Sequence, residues 1–192
     1  LFHLKEKETT DMATTKPIGL REVYLTQLDA VGAPVVGKRV ALPASRIFSF
    51  KPKADVKRLE GGDVIVDAVD VNKGGDFNIE GGGVSIDVLA LLSGGTVATT
   101  GTGATEVTEL TVTSDNTAPY FQVEGRSVNS SGAGDLVTTV FYARCTGGGP
   151  EFTQNNGEYF LTKAAGELFE HPTNKKLYST KQRVTAAALP TT

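Results

Sequence analysis

Residues 76–94 read DFNIEGGGVSIDVLALLSG, and the second half of this stretch sets the fold class. The rest of the chain is rich in Thr, Val and Gly and reads as strands, whereas this short apolar segment reads as a helix over about 85–93. Ser85 is placed to accept a hydrogen bond from a first-turn amide as N-cap. Asp87 sits where the positive end of a helix favours an anion. Val88, Leu89 and Leu92 make one apolar stripe, the expected helix contribution to the core. Gly94 suits the left-handed residue that ends a helix. One amphipathic helix in a β-rich chain implies a helix lying against a sheet.

Outward from the helix, segments enriched in β-branched and aromatic residues predict strands at 20–28, 39–42, 47–50, 56–60, 64–71, 106–113, 120–128, 136–144, 158–163 and 177–189. Glycine and Asx clusters at 61–63, 74–76, 114–116, 132–135 and 146–150 read as the turns between them. Close spacing with short polar turns favours antiparallel meanders and hairpins. The expected fold is therefore all-β, an antiparallel β-sandwich or barrel with one flanking helix. Residues 93–104, SGGTVATTGTGA, lack large side chains and are expected to form a loop ordered only by contact with a neighbour.

The chain has 192 residues, enough for one domain with a proper core. Residues 1–11 are polar and read as an N-terminal extension that need not be native, ahead of the only methionine, Met12. Residues 12–19 then read as an extended arm, because Pro17 breaks any helix there. Residues 20–192 form the single sandwich domain, ending in a C-terminal arm. Hydrophobic residues make up 39% and charged residues 21%, which argues against wholesale disorder. No apolar run reaches the ~20 residues that a bilayer requires, so no membrane association is expected. The only cysteine, Cys145, ends the apolar run LVTTVFYARC and reads as a buried, inert thiol. The fold is thus expected to need no disulfide, as suits a reducing cytoplasm.

Net charge is −3, whereas proteins that grip DNA usually carry a basic surplus. The charge is segregated along the chain. Between Lys38 and Arg58 there are seven basic residues and one acid, and between Glu60 and Asp87 seven acids and one base. The bland reading is two solvated sheet edges protected by charge. The functional reading is complementary faces that meet between subunits, with Lys51 and Lys53 as interface candidates.

No chemistry of catalysis is expected. Of the two histidines, His3 lies in the extension, and His171, in a loop, reads as a solvated side chain. No Gly-x-Ser-x-Gly elbow or P-loop is present. No cofactor or metal site is predicted: Asp63, Asp67 and Asp70 lack EF-hand spacing. On a strand Asp63 and Asp67 share a face while Asp70 takes the other. Phe121 and Phe141 are expected in the core rather than stacked on bases.

The segments GGGVSIDVLALLSGG, GTGATEVTEL, APYFQVEGRSV, GDLVTTVFYAR and GEYFLTKAAGE, in that order, resemble the major tail tube protein of long non-contractile-tailed (siphovirus-type) bacteriophages. The resemblance spans about Met12 to Leu189. It implies a structural virion protein and no enzyme. Six copies make a ring, and stacked rings form a tube that conducts DNA during ejection without binding it specifically. Implied partners are further copies of the chain and the tail tape measure, tail tip and tail terminator proteins. The implied location is the virion tail, assembled in the host bacterial cytoplasm. Within that frame Asp63 and Asp67 are candidate lumen acids, since an acidic ring would repel phosphate. Pro17, Gly94 and Gly95 join Lys51 and Lys53 as candidate subunit-interface residues. The rival readings are another tube element (a contractile-tail tube, a tail terminator or a type VI-like secretion tube) and a carbohydrate- or protein-binding β-sandwich module.

Overall fold

The computed structural model describes residues 16–61, 64–130, 134–147, 149–153 and 156–191. Two strands open the chain, β1 (Pro17–Leu28) and β2 (Pro34–Ala41), followed by a long hairpin, β3 (Ser45–Gly61) and β4 (Val64–Gly82). Helix α1 (Ile86–Ser93) comes next, then a small hairpin, β5 (Thr96–Thr100) and β6 (Val107–Thr111). The last strands are β7 (Phe121–Asn129), β8 (Asp135–Cys145), β9 (Glu151–Thr153), β10 (Leu161–Leu168) and β11 (Tyr178–Arg183). The main sheet runs β2-β1-β7-β8-β10-β4-β3, with β11 on β8 and β9 on β10, every pairing antiparallel. The fold is all-β with one flanking helix.

The two ends of this sheet curl toward each other. The link after β2 donates Leu42 N–H to Val23 O on β1, and its Ala44 O accepts from Gly82 N–H on β4. Phe48 of β3 lies directly over Gly125 of β7, where any Cβ would collide with its ring. A glycine there lets a large aromatic ring fill the space between the two halves of the sheet. The core between them gathers Val23, Leu25, Phe77, Ile79, Phe121, Val123 and Val140, with Phe77 and Phe121 edge to face at 5.7 Å.

The helix closes this core as its sequence requires. Ser85 Oγ accepts from Val88 N–H at 3.4 Å, and Gly94 takes φ 75° and donates its N–H to Ala90 O. Val88, Leu89 and Leu92 are buried, as is Leu91, which the predicted stripe omits. Val88, Leu91 and Leu92 join the main core.

Several sequence expectations need correction. Residues 96–100 form β5, paired with β6 over Thr96↔Thr111 to Thr100↔Val107, where a contact-dependent loop was expected. The β-branched threonines and Val97 supply strand propensity that the low-complexity reading overlooked. Gly74-Gly75-Asp76 is no turn but the continuation of β4. A Cβ on Gly75 would press on Pro52 Cα at 3.0 Å and Leu168 Cδ1 at 3.1 Å, so these glycines admit close neighbours on both sides. The strand expected at 158–163 is shifted onward to β10. Phe141 is half-buried rather than in the core. The register of β7 with β8 slips between Val123↔Val140 and Phe121↔Ala143. This bulge changes which side chains face inward, so Ala143 and Cys145 enter the main core while Tyr142 and Arg144 stay out of it, Tyr142 buried instead against Tyr120 and His171.

Candidate assembly surface

β10 covers β4 only from Gly75 to Gly82. Beyond that point β3 and β4 pair with each other alone, out to Gly61↔Val64. The result is a two-stranded ribbon leaving the body, roughly 30 Å long at the usual strand rise. Residues 51–60 and 65–70 are exposed, so neither face of the ribbon packs on its own subunit. Its exposed residues include Val56, Leu59, Ile65, Val66 and Val69. Cross-strand partners alternate apolar with charged: Val56↔Asp70, Lys57↔Val69, Arg58↔Ala68 and Leu59↔Asp67. Each face of the ribbon therefore carries both apolar and charged groups.

The segregated charge of the sequence is thus the charge of two adjacent strands. At the root of the ribbon the blocks meet within one chain: Lys53 Nζ pairs with Asp76, and Arg46 with Glu80 at 3.5 Å. Lys51 stands across from Asp76 in the ladder, exposed. Asp67 and Asp70 lie on opposite faces of the ribbon, and Asp67 Oδ1 accepts from its neighbour Ala68 N–H at 2.8 Å. Asp63, residues 1–11 and residues 12–15 of the expected arm lie outside the described residues. Pro17 begins β1 opposite Asn129, so residues 17–19 belong to a strand rather than to a free arm. Gly94 and Gly95 are engaged inside the subunit. A Cβ on Gly94 would collide with Thr117 O, and one on Gly95 would stand 2.7 Å from Leu110 Cδ1.

The outer face of β1, β7 and β8 carries a charged ladder that the sequence does not announce. Asp135 is fully buried between two guanidiniums. Arg126 Nε donates to it at 2.8 Å, and Arg183 Nε at 2.5 Å. Arg126 also donates to Glu22 at 2.6 Å, and Arg39 donates to Glu124 at 2.5 Å and to Thr26 Oγ1 at 2.9 Å. The Arg183 hydrogen bonds hold the Asp135 carboxyl down at about 2 against the opposing push of burial, with Arg126 and the Ala187 amide adding to the effect. The same Asp135 hydrogen bond raises Arg126.

This ladder grips the segment after β11 by its main chain. Ala187 N–H donates to Asp135 at 3.1 Å, Leu189 N–H donates to Glu22 at 2.9 Å, and Pro190 O accepts from Arg39 Nε at 2.8 Å. Leu189 is buried as the apolar anchor. The expected C-terminal arm thus lies folded back on its own subunit. The signal for the ladder was present as charges alternating with core residues, Glu22 beside Val23 and Glu124 beside Val123. Nothing in the sequence shows that a later segment covers that face.

His171 is likewise buried, not solvated. Its Nδ1 accepts the Thr173 and Asn174 amides at 3.2 and 3.3 Å, which leaves Nε2 to donate to Gly32 O at 3.0 Å. It therefore ties loop 29–33 to loop 169–176. Cys145 is buried and free, its thiol pushed up to about 12 by burial, so thiolate chemistry is suppressed. Among the described residues no helix is long and apolar enough to cross a membrane. No protein-family model matches the chain, and no curated protein matches it significantly.

Proposed function

We propose that this chain is a self-assembling structural subunit, the major tail tube protein of a siphovirus-type phage tail. Six copies form a ring, and stacked rings form a conduit for DNA. The observation that carries this reading is the β3–β4 ribbon. An isolated two-stranded ribbon is marginal in water. Exposing five large aliphatic side chains on one is the mark of a surface awaiting a partner. A soluble binding module has no evident use for a ribbon of this length, whereas a subunit that must grip its neighbours does. The family resemblance of the five sequence segments supports the same reading and supplies the hexameric ring, the tape measure, tip and terminator partners and the virion location. Mixed charge on the ribbon favours a fixed register over indiscriminate sticking.

Negative-stain imaging and sedimentation of the concentrated protein test the proposal. Rings or tubes are the expected result. Replacing residues 54–71 by an Asn-Gly turn should leave the body folded, with an unchanged thermal transition, and abolish assembly. A parent protein that stays monomeric at high concentration and across salt conditions refutes the reading and favours the β-sandwich binding module.

A further inference from the structure

A second feature lies away from the ribbon, at the end of β8. The Tyr142 ring stacks on Tyr120 with centroids 4.2 Å apart, and the Arg144 guanidinium stands 5.5 Å from the Tyr120 centroid. Such contacts hold a guanidinium plane in place without using its N–H groups. In front of Arg144 opens a pocket of about 460 Å³, between the C-terminal end of α1, the turn after β6 and the loop after β8. Ser93, Thr113, Asn116, Thr117 and Thr146 contribute polar groups to its wall, and among the described residues no Asp or Glu lines it. Asn116 Oδ1 already accepts from Thr113 N–H and Oγ1, at 2.6 and 2.9 Å, so its amide donors are left for another acceptor.

Arg144 is anomalous in this chain. Its Nε is buried with no hydrogen-bond partner. Among the described residues it makes no ion pair, although Arg39, Arg126 and Arg183 are each bound to carboxylates. Glu167 faces Arg144 across the β8–β10 ladder but is exposed and lines the neighbouring trough instead. That Nε is sealed from solvent and so from the pocket; what Arg144 offers a ligand there is its Nη end, whose paired N–H donors match the two oxygens of an oxyanion.

We propose that this pocket is an oxyanion-binding site in which the Nη fork of Arg144 holds a carboxylate or phosphate group and the Asn116 amide with the Thr117 and Thr146 hydroxyls completes its shell. The site is independent of the ribbon and of ring formation. The competing explanation is that Arg144 only compensates the negative end of α1 at Ser93.

Inorganic phosphate and, separately, acetate are titrated into the full chain at constant ionic strength, in dilute solution below any assembly. Amide NMR shifts are followed over residues 112–118 and 144–147. Saturable shifts confined to these segments are expected. Arg144→Gln should weaken binding by about tenfold or more, as loss of a charge-assisted hydrogen-bonding pair requires. Arg144→Lys, which keeps the charge without the fork, should bind at an intermediate level, and Glu167→Gln should bind more tightly than the parent. Phosphate saturating well before acetate identifies a phosphoryl ligand, whereas equal affinities identify a carboxylate such as an acidic side chain. The proposal is overturned if neither anion gives localised saturation, or if Arg144→Gln and Glu167→Gln both bind like the parent.

Discussion

The buried carboxylate of Asp135 gives the sharpest test of how the body holds together. Asp135→Asn keeps the shape of the side chain and removes its charge. In the parent the carboxylate takes bonds from Arg126, Arg183 and the Ala187 amide while almost wholly excluded from solvent. Its pKa falls from the ordinary 3.8 to about 2. At ~1.4 kcal/mol per unit, that shift alone is worth about 2–3 kcal/mol of folding stability at neutral pH. Leaving two guanidiniums facing a neutral amide adds to the loss, since breaking one partner of a buried pair typically costs ~3–5 kcal/mol. Arg126 keeps Glu22 and Arg183 keeps Ala187 O, which places the expected cost near the lower end, at about 3 kcal/mol.

The pH dependence fixes the sign. A carboxyl whose folded pKa is depressed contributes its full stability above the unfolded value near 4 and loses it as pH falls through the folded value near 2. Urea denaturation followed by circular dichroism suits a chain without tryptophan. It should show the parent well above the Asn variant at pH 7, with the gap closing between about pH 4 and 2. Equal stability of the two proteins at pH 7 refutes the assigned role of Asp135. A gap as wide at pH 2 as at pH 7 means that the loss came from packing, not charge.

Other outcomes follow from the same structure. Leu92→Ala, at a fully buried core position, should cost about 2–5 kcal/mol in the monomer, whereas Asp87→Asn, on the exposed first turn, should leave the thermal melt nearly unchanged. His171→Ala should lower stability by about 1–3 kcal/mol by orphaning Gly32 O and two loop amides, and should speed hydrogen exchange in loops 29–33 and 169–176 alike. Lys51→Glu with Lys53→Glu places like charge beside Asp76 at the ribbon root, so assembly measured by sedimentation should weaken while the melting transition of the body holds.

What the sequence made legible follows from where each signal resides. The helix was readable to within a residue because its cap, stripe and stop are all local: Ser85, Val88 to Leu92, and Gly94 within one short segment. Strand existence was readable for the same reason, since β-branched residues act where they stand. Phase was not. Phe141 looked equivalent to Phe121 until one extra residue in β8 moved Tyr142 out of the main core and Ala143 into it, and no local pattern marks that bulge. Glycine was the other source of error. Gly74 and Gly75 read as a turn because glycine permits one, yet here their missing side chains admit Lys51, Pro52 and Leu168 on either side.

The charged residues divide in the same way, and their division bears on assembly. The Lys38–Asp87 region is visible in sequence because like charges cluster along the chain, but clustering in sequence became pairing in space once β3 and β4 folded into one hairpin. The ladder of Glu22, Arg39, Glu124, Arg126, Asp135 and Arg183 leaves only its alternation with core residues in the sequence, because its members come from five strands and meet only in the folded sheet. Of the first set, Lys51, Lys57, Arg58, Asp67 and Asp70 stay exposed along the ribbon, whereas Arg39 joins the second set in holding the chain's own C-terminal segment. An uncovered ribbon beside a body so thoroughly fastened is what the proposed assembly reading requires, since poor packing would loosen the body as well. On the proposed reading, Val56, Leu59, Ile65, Val66 and Val69 stand in water on the ribbon because a neighbouring copy is to cover them.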